Sequence, residues 1–96
     1  MSYSKLFSAI TESSLWSESK EARLLFVSML ARADQNGFVE AALPGLARMS
    51  NLTLEETVAS IAILEGPDPY SKDLDENPEN EGRRLEKVPG GWRIIN

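Results

Sequence analysis

The stretch from residue 19 to residue 33 constrains this chain more than any other. Ala22, Leu25, Phe26, Met29, Leu30 and Ala33 recur at i, i+3, i+4, i+7, i+8 and i+11. That spacing lays one apolar stripe along an α-helix and demands a partner layer to cover it. Ser17 or Ser19 can cap the helix start, and Glu18 and Glu21 suit the positive end of its dipole. Asp34-Gln35-Asn36-Gly37 stops it with a turn. Trp16, just ahead, is expected to anchor the core by closing over this helix.

The partner layer is legible downstream. Phe38-Val39-Glu40 reads as a short extended piece, and Leu43 to Met49 as a brief second helix with Pro44 tolerated at its first position. Ser50-Asn51-Leu52 is a tight connection. Thr53 then opens a third helix, and Thr53 with Glu56 forms a capping box in which hydroxyl and carboxylate satisfy exposed amides. Leu54, Val58, Ile61, Ala62 and Leu64 are expected to form its buried face, and Gly66-Pro67 ends it. Two helices joined by a short turn make a helix-turn-helix pattern.

Residues 65–82 carry seven acids against Lys72 alone, a balance of −6. With three prolines from residue 66 onward and few large apolar groups, the stretch predicts a long exposed loop. Within it, Pro67-Asp68-Pro69-Tyr70 reads as a turn whose ring covers the core edge, with protein docking as the alternative. Residues 83–96 then carry +3, and 84–95 read as a β-hairpin. Pro89 pre-sets the first dihedral of a type II turn and Gly90 takes the positive one. Pairing Val88 with Gly91 sets Lys87 across from Trp92, Glu86 from Arg93 and Leu85 from Ile94. That register gives an ion pair on one face and apolar pairs on the other.

Helix, short strand, helix, helix, hairpin is the order of a winged helix-turn-helix, a mainly α fold with a three-helix core and a two-stranded wing. At 96 residues the chain has room for one such domain. It divides into an arm (1–18), a helical core (19–64), the acidic loop (65–82) and the wing (83–96).

Composition then narrows the function. The chain has no cysteine and no histidine, so thiolate zinc sites, disulfides and imidazole catalysis are excluded. No P-loop pattern or paired catalytic acids appear, and the expectation is a non-enzymatic domain with no cofactor. Asp73, Asp75, Glu76 and Glu79 are oxygen donors, but they lack the spacing and the sharp-turn glycine of a calcium loop, so no metal site is expected. No run approaches the roughly 20 apolar residues of a membrane span, and no signal peptide is visible at the start. A cytoplasmic protein is the expectation.

The sequence also resembles the N-terminal winged-helix domain of phage and prophage replication initiator, or replication-organiser, proteins. The residues carrying the resemblance are Lys5-Leu6-Phe7-Ser8, Ser14-Leu15-Trp16-Ser17, residues 29–34, Gly37-Phe38-Val39 and Leu43-Pro44-Gly45-Leu46-Ala47. They continue with Pro67-Asp68-Pro69-Tyr70-Ser71, Glu81-Gly82-Arg83-Arg84, Gly90-Gly91-Trp92-Arg93 and Asn96. Members of that family run on past the position of Asn96, so an N-terminal domain of a longer protein is expected. The resemblance implies double-stranded DNA as partner during phage replication.

Two sets of residues could serve that binding. In the wing, Arg83, Arg84, Lys87 and Arg93 could follow a phosphate backbone, with Arg32 and Arg48 in support. On the third helix, Thr53, Glu56 and Ser60 would face the major groove. The second set is weaker, because Glu55 and Glu56 lead a stretch with no Lys or Arg from 53 to 65. The alternative is a protein-interaction or dimerisation module for a second copy or a replication partner. It would use Ala59 and Ile63, joined by Tyr3, Leu6 and Phe7. The two readings differ in surface: a contiguous positive face for DNA, an exposed apolar patch for a protein.

Overall fold

A computed structural model describes residues 10–95. A 3-10 turn, Ser14–Ser17, leads into α1, Lys20–Arg32; then come β1, Phe38–Glu40, α2, Leu43–Ser50, and α3, Leu54–Glu65. Two further 3-10 turns, Lys72–Leu74 and Pro78–Asn80, precede the strands β2, Leu85–Val88, and β3, Gly91–Ile94. The result is a small, mainly helical domain with one three-stranded antiparallel sheet in the order β1-β3-β2.

Local chemistry explains the element ends. The Ser19 hydroxyl accepts from the Ala22 amide at 3.1 Å and caps α1. Asp34 Oδ1 accepts from the amides of Asn36 and Phe38, closing the turn that delivers β1. Asn51 ends α2 in the left-handed region at φ 57°. The capping box opens α3 as expected: Thr53 Oγ1 accepts from the Glu56 amide at 3.0 Å, and Glu56 Oε1 from the Thr53 amide at 2.9 Å.

The expected hairpin register is observed at all four pairs, from Leu85 with Ile94 to Val88 with Gly91. Gly90 takes its positive φ of 85° in the turn. The short strand expected at residues 38–40 joins this sheet: β1 lies antiparallel on β3, with Val39 opposite Trp92 and Glu40 opposite Gly91. Gly91 permits that approach: a Cβ there would run into the carbonyl of Val39.

The stripe of α1 is buried as expected. Ala22, Leu25, Phe26 and Met29 meet Leu46, Ile61, Leu64, Val39, Leu85 and Trp92 in one core, with Leu30 and Ala33 at its margin. Three expectations are corrected by this packing. Trp16 is exposed, and its neighbour Leu15 is the core anchor. The 3-10 turn, capped by Ser13 on the Leu15 amide, points Leu15 inward and leaves the indole outside under the Arg23 guanidinium, 4.7 Å from the ring centre.

The buried face of α3 is Thr57, Ser60, Ile61 and Leu64, so Leu54, Val58 and Ala62 point outward instead. The helix is apolar on nearly every side, so periodicity alone could not fix its rotation. Contact with α1, α2 and β2 does. Thr57 fits the interior because its hydroxyl donates to the Thr53 carbonyl at 2.9 Å.

The acidic segment is a long, mostly exposed connection between α3 and β2, and it is organised by short turns. Its two 3-10 turns are stitched by backbone bonds, and the Asp68 amide donates to the Glu81 carbonyl at 2.8 Å. Tyr70, expected to cover the core edge, is 84% exposed. Among the described residues no helix is long and apolar enough to cross a membrane.

Candidate interaction surface

The hairpin cations do not assemble into a positive face. Arg84, assigned to the wing by its position, is only 5% exposed. Its Nη2 lies 2.9 Å from Asp68 Oδ2 and donates to the Ser14 hydroxyl at 2.6 Å, while that hydroxyl donates to the same carboxylate oxygen at 2.6 Å. Burial pushes the Asp68 carboxyl up. Hydrogen bonds from Ser14, the Tyr70 amide and Arg84, together with the Arg84 charge, outweigh burial and hold it below the usual carboxylate value. Arg84 is therefore a clamp between the Ser14 turn, the acidic segment and β2, which removes it from any surface site.

The other three hairpin cations remain at the surface, each with a local partner. Arg83 Nε donates to the Asn80 carbonyl at 3.1 Å. Lys87 lies over the Trp92 ring at 4.7 Å and donates to the carbonyls of Val88 and Gly91. Arg93 faces Glu86 at 3.6 Å across the strand pair, both partly exposed. The outer face of the sheet thus carries Arg93 against Glu86 and Glu40. It is not a basic face.

The residues assigned to DNA on α3 fare similarly. Thr53 and Glu56 bond each other in the capping box, which occupies the hydroxyl and one carboxylate oxygen. Ser60, expected on the exposed side, is 1% exposed and faces the core, a further correction that follows from the rotation of α3. No family model, no curated protein and no solved structure matches the chain.

What α3 does present outward is apolar. Leu54, Val58 and Ala62 form one row at i, i+4 and i+8, and Ala59 with Ile63 forms the next. Leu54 is 51% exposed, Val58 48% and Ile63 39%. Glu55 is the charged group among them, and the helix contains no base. Ala59 and Ile63 were the interface candidates in the sequence, and the fold does bring them together at the surface. Tyr3, Leu6 and Phe7, the other candidates, lie outside the described residues.

Sequence reasoning missed Leu54 and Val58, which it placed in the core. The available signal was composition: a helix apolar all round has more apolar surface than one core contact can cover. The carboxylates of the acidic segment do not converge. Among the described residues no group of three or more Asp or Glu side chains is placed to hold a metal ion.

Proposed function

We propose that this chain is a winged helix that works as a protein-docking module, with the outer face of α3 as its contact surface. The order α1, β1, α2, α3, β2, β3 and the sheet order β1-β3-β2 support the winged-helix reading, with β2 and β3 as the wing. The observation that carries the docking reading is the exposed outer face of Leu54, Val58, Ala59, Ala62 and Ile63 on a helix without a single Lys or Arg.

In a DNA-binding winged helix this element would enter the major groove. Here it would bring Glu55 and Glu56 toward phosphates of like sign, with apolar side chains between them. Affinity for DNA rests on phosphate neutralisation. The net charge of −5, with Arg84 buried against Asp68, leaves little to supply it. An apolar face of this kind is instead the mark of a surface that another protein covers. The resemblance to phage replication initiators puts the module, within this proposal, in a cytoplasmic replication assembly.

The test has two arms. Titration with double-stranded DNA at two salt concentrations is expected to give no binding. A photoreactive residue at Val58 is expected to crosslink to protein, and one at Arg93 to give no adduct. Submicromolar DNA binding that falls steeply with salt and is lost in Arg83→Ala/Arg93→Ala would overturn the reading.

A further inference from the structure

Among the described residues, α1 as well as α3 presents an exposed apolar face. Among the described residues, Trp16, Leu24, Val27, Leu54, Val58, Ile63 and Tyr70 are the exposed large apolar side chains. Leu54, Val58 and Ile63 belong to α3, while Leu24 and Val27 stand on α1 and Trp16 just before it. On α1, Leu24, Val27 and Ala31 recur at i, i+3 and i+7, on the side of the helix opposite the core stripe of Ala22, Leu25, Phe26 and Met29. Lys20 continues the same row toward the helix start, and Arg23 lies over Trp16 beside it.

The two faces are oppositely charged. The α1 face carries Lys20 and Arg23 with Glu21 at its edge, whereas the α3 face carries Glu55 and Glu65 with no base. Pairing α3 with α3 across a two-fold axis would oppose carboxylates of two copies with nothing to neutralise them. Pairing α1 with α1 would bring Lys20 and Arg23 of two copies together with only Glu21 at the edge to offset them. Pairing α1 with α3 meets apolar with apolar and base with acid.

From this complementarity we infer that the domain associates head to tail, the α1 face of one copy covering the α3 face of the next. The inference rests on the docking reading of α3 and names its partner as a second copy of this chain. A head-to-tail contact is heterologous: each added copy leaves one α1 face and one α3 face free, so copies add in series until a ring closes. A helix of 12 residues is about 18 Å long, and the contact falls at the small, transient end of protein interfaces. The association should therefore grow with concentration, and salt should weaken it by screening the charged rims.

Sedimentation of the 96-residue chain across a concentration series tests this. The mass is expected to climb from 10.6 kDa past that of two copies, and to climb less at high salt. Leu24→Ser/Val27→Ser removes one face and Leu54→Ser/Val58→Ser the other. Each variant alone is expected to remain at 10.6 kDa. Mixed in equal amounts they should form a complex of two copies and no larger, because one complementary pair of faces survives.

Circular dichroism and melting curves like those of the parent establish that the variants are folded. Should a double variant melt, Leu24→Ser and Val58→Ser alone carry the same mixing test. A parent chain that stays at 10.6 kDa throughout overturns the inference, as does a dimer that either variant retains by itself. Either result, obtained while Val58 still crosslinks to a different protein, defeats self-association and leaves the docking reading standing. Tight, salt-dependent DNA binding defeats the docking reading itself.

Discussion

Arg84 and Asp68 meet at 2.9 Å with side chains only 6% and 14% exposed, and the Ser14 hydroxyl bonds to both. Three segments distant in sequence are tied at this one point: the turn before α1, the acidic segment and the start of β2. The backbone of Arg84 adds two further ties: its amide donates to the Leu64 carbonyl at the end of α3, and its carbonyl accepts from the Ile95 amide after β3.

Breaking this pair from one side strands a charge in the interior. Asp68→Asn is expected to lose about 3 to 5 kcal/mol at neutral pH, because Arg84 keeps its charge and loses its counter-charge. Urea denaturation at pH 7 measures the loss.

The same pair sets an acid limit on stability. Asp68 holds its proton less readily when folded than when unfolded, so its contribution is full above about pH 4 and is lost as pH falls through the lower folded value. Stability followed from pH 6 to pH 2 should fall in the parent. In Asp68→Asn the fall should be shallower over the same window.

Two glycines should respond oppositely to alanine. At Gly91 a Cβ would run into the Val39 carbonyl, so β1 must leave β3, and a loss of at least about 2 kcal/mol is expected. At Gly45, within α2, the nearest atom to a new Cβ is that of Ala41 at 3.9 Å. Gly45→Ala should therefore stabilise the domain by about 0.5 to 1 kcal/mol, through helix propensity and a less free unfolded chain. Melting temperatures of the two variants would separate in opposite directions from the parent.

Thr53→Ala removes the hydroxyl that accepts from the Glu56 amide and should cost about 1 kcal/mol. Its mark should be local: amide exchange in the first turn of α3 should quicken more than exchange in α1.

Leu15 and Trp16 are adjacent but unequal. Leu15→Ala empties a site buried in the core and should cost about 2 to 5 kcal/mol. Trp16→Ala removes an exposed ring stacked by Arg23, and about 1 kcal/mol or less should follow. Iodide quenching adds a check: the exposed Trp16 should account for nearly all quenchable emission, since Trp92 is buried with its Nε1 bonded to Glu65 at 3.1 Å.

Much that near neighbours govern was written in the sequence, though the Ser13-capped turn that points Leu15 rather than Trp16 inward was not. The stripe of α1, the capping box at Thr53, the left-handed stop at Asn51 and the four-pair hairpin register each depend on residues within a few positions of one another. Their chemistry acts wherever the chain is placed. The tertiary structure alone decided which side of α3 faces inward, because a helix apolar all round turns as its neighbours on α1, α2 and β2 require. That rotation buried Ser60 and exposed Leu54 and Val58 on the face proposed for docking. The fate of Arg84 was decided the same way. Neither Asp68 nor Ser14 is near it in sequence, and only the folded chain, closing all three together, could take that charge out of the solvent.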